Sequence, residues 1–544
     1  MKSCVPRRHY RQSHAPDRKD SAVENTALSP GTATLAEPLA ERREWIGLIV
    51  LALACLVYAM DLTVLHLAVP MISAELHPTS SQLLWIIDVY GFMVAGLLIT
   101  MGTLGDRIGR RRILMVGAAA FGVVSVAAAF SPTAEILILC RAVLGIAGAT
   151  LAPSTLSLIF NMFRDARQRS VAVGVWVGAF SAGGAIGPLA GGVLLEHYWW
   201  GSVFLLAVPV MALLLVLGPK VLPEFRDSEA GRMDLIGAAL SVTAMIALVF
   251  AMKKIAQDGV GVAALAALAG GLAVGALFVR RQLTSPDPML DLRLFRLSAF
   301  RTALAINVIG VFVAFGYFLF VGQYFQLVLG MSPLQAGLAM SPSGLGFIVG
   351  SQLAPRIVRV VKPAYLIGAG MLTAAIGLAL LTQVGMGTGP VLAIVASLLI
   401  SLGLAPVFGI TTELIVGSAP PEQAGAASGL SETGAELGGA LGISILGSLS
   451  VAIYRGDLAD TLPAGLPAEA AQSIRDTLGA AVAVADSLPE KLGSAVLTAA
   501  REAFVDGVQL TAGIATVAAA AIAAIALVKL KHIPAGELPG HDGH

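Results

Sequence analysis

The chain has little charge and little cysteine. Only 13% of its 544 residues are Asp, Glu, Lys or Arg while 56% are hydrophobic, against roughly 25% charged in an ordinary soluble domain. That composition excludes a water-soluble globule and defines a polytopic membrane protein. The three cysteines, Cys4, Cys55 and Cys140, are too few and scattered for a disulfide framework or metal site. No Gly-x-x-x-x-Gly-Lys-Ser/Thr loop is present to cradle a nucleotide, so ATP is not the direct energy source. No His-Glu-x-x-His or nucleophile elbow suggests an enzyme. No cofactor, metal or nucleic-acid partner is expected.

Residues 1–44 are polar, rich in Arg, Pro and Ser, and lack an apolar core or cleavage site, so they read as a disordered tail rather than a signal peptide. From Trp45 onward, apolar runs of bilayer-spanning length recur at about 46–70, 82–103, 113–131, 134–159, 170–194, 200–218, 235–252, 260–279, 300–328, 334–355, 364–384, 390–417, 424–454 and 508–530. That makes fourteen predicted spans, all helical, because in lipid a helix satisfies its own backbone groups. On alternating topology, 28 of the 35 Lys and Arg fall on one side and six on the other, with Arg141 inside a span. Basic residues mark the cytoplasmic side, so both termini are expected there.

Ionisable residues inside spans are costly and by default functional. Asp61 lies about sixteen residues into the first span, roughly 24 Å along it. Arg141 enters from the opposite surface to a comparable depth, so the two can pair. Asp88, in Trp85-Ile-Ile-Asp-Val-Tyr90, is open between a solvated carboxylate at the outer entrance and a coupling group. Glu432 and Glu436 are four residues apart and share a helix face. Two buried carboxylates so placed repel, which favours holding a proton between them. A pair facing a wet cavity and ionising normally is the other reading.

Four motifs carry a resemblance. Gly102-Thr-Leu-Gly-Asp106-Arg107-Ile-Gly109-Arg110-Arg-Arg112 lies between spans two and three. Leu139-Cys-Arg141-Ala-Val-Leu-Gly145 is in span four. Gly174, Gly183, Gly187-Pro188 and Gly191 recur through span five, and Asp61-Leu-Thr63-Val-Leu-His66-Leu-Ala-Val-Pro70 lies in span one. Glycines at one-turn intervals let another helix approach closely, and a proline within a span permits a bend. Together these motifs resemble those of the major facilitator superfamily, and within it the fourteen-span drug:proton antiporters typified by quaternary-ammonium efflux pumps.

The resemblance implies an all-α major facilitator fold of two six-helix bundles plus two inserted helices. On that plan 45–218 is the N-terminal bundle, 219–299 holds the cytoplasmic linkers and the inserted pair, 300–530 is the C-terminal bundle with an external loop at 455–507, and 531–544 is a cytoplasmic tail. It implies proton-coupling or substrate roles for Asp61, Arg141, Glu432, Glu436, Asp88 and His66. Asparagine is common where His66 stands, and His66 reads either as a group titrating beside Asp61 or as an ordinary hydrogen-bonded histidine. Gly102, Asp106, Arg107, Gly109 and Arg110 are expected to form a conformational latch. Of the aromatics in span nine, Phe315, Tyr317 and Tyr324 are expected to meet a lipophilic cation. The 455–507 loop reads as helices near Ala468–Ser487 and Lys491–Phe504 broken at Pro489, either gating the outer exit or serving as a passive connector.

The function implied is proton-driven export of small hydrophobic or cationic compounds by a monomer in the cell's inner membrane, among lipids. Export of an endogenous metabolite, antibiotic or lipid-like product is the alternative.

Overall fold

A computed structural model describes residues 39–226, 234–285, 288, 292–419, 424–463 and 466–535. Nearly all of the predicted N-terminal tail and the last nine residues lie outside that set. Every regular element among the described residues is helical. In chain order they are α1 Arg42–Leu76, α2 Ser80–Ile108, α3 Arg110–Ala129, α4 Ala134–Met162, α5 Ala166–His197, α6 Ser202–Leu205, α7 Ala207–Val221, α8 Leu235–Asp258, α9 Val262–Thr284, α10 Ser298–Gln323, α11 Pro333–Ile357, α12 Pro363–Leu381, α13 Pro390–Gly417, α14 Ala424–Thr461, α15 Ala468–Asp476, α16 Leu478–Ser487 and α17 Glu490–Lys529. A π turn, Tyr324–Val328, extends α10.

Among the described residues, with α6 and α7 taken together, twelve helical segments are long and apolar enough to cross a membrane, and α5 makes thirteen if its two limbs count as one span. The one predicted span not among these is 334–355, which is α11. Its 25 residues are long enough for a hydrocarbon core of about 30 Å, but Gln335, Ser341, Ser343, Ser351 and Gln352 dilute its apolar character. It can be so polar because it packs between α5 and α13. Its exposed large side chains, Leu338, Leu345, Val349 and Leu353, form a single stripe.

The N-terminal helices α1–α7 pack on one another, as do α10–α14 with α17. These halves meet along α2–α14, α5–α11 and α1–α10. The inserted helices α8 and α9 form a hairpin through Gly259, at φ 78°, and α8 rests on both α2 and α14. In α5 the axis turns by 42° between Gly184 and Ile186. Pro188 is the cause, since it cannot donate to the carbonyl four residues earlier, that of Gly184.

Two expected loops are different in the structure. The stretch Gly102–Arg112 is helix on both sides of one residue. α2 runs to Ile108, α3 starts at Arg110, and Gly109 alone breaks the path at φ 115°. A side chain there would collide with the Glu224 carboxyl as well as strain the backbone. In the 455–507 region, Lys491–Phe504 is the first part of the 40-residue α17 rather than a separate helix. Ala468–Ser487 is split at Thr477, whose hydroxyl caps α16 by accepting from Ala480 N at 3.0 Å. The short helices lie over the end where α1 stops. Ser80 Oγ donates to the Asp476 carbonyl at 2.5 Å, Tyr454 Oη donates to the Ile474 carbonyl at 2.8 Å, and Gly479 sits against Pro70 and Ser73.

Candidate functional site

The site is built where the halves meet, and the glycines of α5 set how closely they do. A Cβ on Gly183 would strike the Leu56 carbonyl, one on Gly187 the Thr63 hydroxyl, and one on Gly191 the Val64 side chain. These three, each four residues apart, bring α1 into near backbone contact. On the same helix Gly192 lies against Pro333, while a Cβ on Gly337 would sit 2.6 Å from the Pro188 carbonyl. So α5 joins α1 within its own half and α11 across the seam. Gly174 does not belong to this ladder, because nothing lies within 4 Å of where its Cβ would be. It is nine residues before Gly183, which puts it half a turn around α5 on the face opposite the ladder.

The span-four motif works in the same way. Gly145 admits the backbone of Tyr90 from α2, at 2.6 Å from its would-be Cβ to the carbonyl oxygen. With α2 this close, Arg141, one turn earlier, donates through Nε to the Ile86 carbonyl at 3.1 Å and stacks its guanidinium 4.6 Å from the Tyr90 ring centre. Its Nη1 reaches Asp61 Oδ2 of α1 at 2.5 Å. The predicted meeting of Asp61 and Arg141 is present, fully buried, with charge-assisted bonding on both partners. His66 does not join it. Five positions from Asp61 puts it about 140° around the helix, and it is 1% exposed with Nδ1 unpartnered among the described residues.

Asp88 is not a solvated outer carboxylate. It is 1% exposed and pairs at 2.9 Å with Lys253 Nζ, which also lies 3.9 Å from the Trp85 ring centre. The predicted span 235–252 stops one residue short of Lys253, but α8 continues to Asp258.

Between the halves, α14 presents Glu432 and Glu436, both half-buried. Tyr58 Oη donates to Glu436 Oε1 at 2.7 Å. Tyr58 is three residues before Asp61 on the same face of α1, so one helix face touches both the N-terminal ion pair and the C-terminal acids. Around it stand Tyr90, with ring centres 6.1 Å apart, and Phe180, at 5.8 Å. Phe180 in turn neighbours Trp176 at 6.1 Å, whose indole N–H donates to Thr155 at 3.0 Å. Among the described residues neither glutamate has a cationic partner. This is an apolar, aromatic site holding two carboxyl groups that no described cation pairs.

Of the aromatics expected to line it, Tyr317 and Tyr324 are elsewhere. Gly310 of α10 faces Phe408 and Leu404 of α13, and Tyr317 and Tyr324 follow at seven-residue steps on that same face. The Tyr317 hydroxyl lies among Ser343, Ser397 and Ser401. The Tyr324 hydroxyl donates to the Gly385 carbonyl at 2.9 Å. Both are internal to the C-terminal half. Phe315 packs on Gly439 of α14, in line with Gly322, which approaches His66 of α1. It alone of the three is on the seam-facing stripe. Tyr58, Tyr90, Trp176 and Phe180 were not foreseen. A spacing signal was available for Tyr58, one turn from Asp61.

At the turn after α2, Asp106 accepts from Arg110 Nε at 2.7 Å. Arg111 pairs with Glu224 at 3.5 Å, and Arg110 N donates to the Phe225 carbonyl at 2.9 Å, tying the turn to the chain leaving α7. Arg107 is exposed. The tight approach in this motif is at Gly105, where a Cβ would lie 3.0 Å from Arg110 Cδ, and at Gly109, whereas Gly102 has only an ordinary 3.7 Å contact with Pro153.

Two helical halves, a central seam lined by buried charge and aromatic rings, and no hydrophilic domain among the described residues define a membrane transporter. The chain belongs to the Major Facilitator Superfamily, whose sequence model matches residues 51–443. It is 43% identical over 484 residues to the multidrug efflux pump LfrA of Mycolicibacterium smegmatis, covering 89% of this chain and 95% of that one. It is 36% identical over 474 residues to the methyl viologen resistance protein SmvA of Salmonella typhimurium, covering 85% and 93%. Among solved structures, a bacterial homologue of the human lysosomal transporter Spinster, inward-facing and unoccupied, superposes with a TM-score of 0.63 at 16% identity over 90% of this chain and 98% of that one. That likeness is one of fold.

Proposed function

We propose that this protein is a proton-coupled multidrug exporter that moves hydrophobic cations, such as quaternary ammonium compounds and dyes, out of the cell. The observation that carries the reading is the charge imbalance across the seam. Asp61 is neutralised by Arg141, while Glu432 and Glu436 face aromatic rings with no cation of their own. A lipophilic cation supplies what that site lacks: positive charge for the carboxylates and a surface that stacks on Tyr58, Phe180 and Trp176. The two named relatives support it, one as a multidrug pump and the other through resistance to methyl viologen, itself a dication.

The basic residues put the α1 start on the cytoplasmic side. Contacts of Leu67 with Gln326, at 3.0 Å, and of Glu196 with Leu334, at 3.1 Å, then close the outer side. Substrate enters from the cytoplasm or inner leaflet and binds the ionised glutamates. When the halves rock and the site faces outward, protons neutralise the carboxylates and release the cation. Tyr58 links this event to Asp61 and Arg141 through the shared face of α1. The turn around Gly109 holds the cytoplasmic ends in step.

Everted membrane vesicles energised with a proton gradient test the reading. A fluorescent quaternary ammonium dye should accumulate inside them, and a protonophore should abolish accumulation. Transport unaffected by the protonophore would remove proton coupling. Transport confined to neutral compounds would shift the cargo to an endogenous metabolite, antibiotic or lipid-like product.

A further inference from the structure

The inserted hairpin is tied to the N-terminal half by a buried ion pair. On α8, Lys253 and Asp88 of α2 form an ion pair with side-chain exposures of 1% and 0%. Trp85, one turn from Asp88 on α2, lies 3.9 Å from the ammonium. One turn further along, Phe92 of α2, Val249 of α8 and Ala440 of α14 form a separate apolar cluster that also packs Trp85, Met245 and Leu441. At the level of the ion pair α14 offers Ser444, which approaches Asp88. Neither Ser444 Oγ nor Asp88 Oδ2 closes a hydrogen bond among the described residues.

α8 therefore touches both halves by different chemistry. Its contact with α2 is ionic, directional and dry. Its contact with α14 is of similar extent but apolar, around Ala440, without a described hydrogen bond. A buried ion pair cannot be separated without stranding two charges, whereas apolar side chains can slide past an alanine. α2 and α14 flank the seam that must open and close during transport, with Gly91 beside Ala440 and Gly447 beside Leu84. When they part, α8 can follow only one of them.

We infer that Lys253 binds the inserted hairpin to the N-terminal half, so that α8 and α9 travel with α2 and slide over α14 in every cycle. Lys253 is then a positioning residue of the transport reaction. It holds Asp88 and fixes which half carries the hairpin. The inference rests on the alternating-access reading above.

Two engineered cross-links separate the alternatives. Gly96→Cys/Val242→Cys bridges α8 to α2, where a Gly96 Cβ would lie 3.5 Å from the Val242 Cβ, within the disulfide range of about 3.5–4.5 Å. Val249→Cys/Ala440→Cys joins the α8 and α14 members of the shared apolar cluster, with a reducible bifunctional thiol crosslinker in place of direct oxidation. Each is assayed for ethidium transport in the same everted vesicles, cross-linked and then reduced, with the wild type as control for native cysteines. The bridge to α2 should leave transport unchanged. The bridge to α14 should abolish it, and reductant should restore it. Equal tolerance of both bridges, or loss only with the bridge to α2, overturns the inference.

Stability provides an arm that does not need transport. In detergent, Lys253→Met should lower the melting temperature, Lys253→Arg should retain it, and Lys253→Met with Asp88→Asn should recover most of the loss. A double variant that melts no higher than Lys253→Met rejects the tie, whatever the cargo. Failure of wild-type and reduced protein to move ethidium counts against the exporter reading and leaves the melting result to judge the tie.

Discussion

Asp61 and Glu436 lie within reach of one face of α1, on opposite sides of the seam, in opposite electrostatic settings. Asp61 is bonded to Arg141 at 2.5 Å, and Asp88 on α2 is bonded to Lys253 at 2.9 Å. Among the described residues the C-terminal acids receive one neutral donor, the Tyr58 hydroxyl at 2.7 Å. The N-terminal half thus keeps its buried acids paired with basic side chains of the protein, while the described residues bring no cation to Glu432 or Glu436. The same residue type does different work on the two sides because of what the facing helix supplies. Gly145 lets α2 close on Arg141, whereas no described cation is brought to α14.

Removing one charge should separate the two settings most sharply. Arg141→Leu strands buried Asp61 and should cost about 3–5 kcal/mol of stability, read as a large fall in melting temperature. Glu432→Gln with Glu436→Gln relieves repulsion, and should abolish cation export while melting no lower than wild type. Equal melting losses in the two variants would erase the distinction.

Tyr58→Phe comes next. It removes a hydrogen bond to a charged group, worth about 1.5–3 kcal/mol, and should weaken cation binding about tenfold or more in a titration while leaving the Asp61–Arg141 pair intact.

The α5 ladder gives a paired test of similar or smaller size. Gly183→Ala drives a methyl into the Leu56 carbonyl and should cost about 1–3 kcal/mol as overpacking. Gly174→Ala has open space and should be neutral or slightly stabilising, as thermal melts will show.

The smallest effect belongs outside the membrane. Burial works against ionisation of Asp234 at the start of α8, but the Gly237 N–H, Arg281 and Gln282 outweigh it and hold its carboxyl below the ordinary range. A depressed carboxyl contributes stability above its unfolded value, about pH 3.9, and loses it as pH falls through the folded value. Asp234→Ala should cost about 1 kcal/mol near neutral pH, as for a lost cap, and nothing once the wild-type carboxyl is protonated. Melts recorded from neutral to acid pH will check this.

Much of this was legible in the chain itself. Span length and depth were enough to bring Asp61 to Arg141, since both are distances along helices. The glycine spacing foretold a close helix contact, and the ladder of Gly183, Gly187 and Gly191 is that contact. Features that depend on what faces a residue were not legible. Lys253 follows an apolar run and reads as a loop cation until α2 places Asp88 beside it. Tyr317 and Tyr324 have the composition of a binding surface but sit on the α13-facing side of α10, which is set by packing around Gly310. Gly174 fits the motif by spacing, but nothing described lies within 4 Å of where its Cβ would be. Glu224, which receives Arg111, is far along the chain, and no local pattern points to it.

The most direct measurement is calorimetric titration of the purified protein in detergent with a quaternary ammonium ligand. If the C-terminal carboxylates hold the cation, Asp61→Asn will still bind it, and Glu432→Gln with Glu436→Gln will not. Binding that survives in the double glutamine variant and disappears with Asp61→Asn would contradict the account.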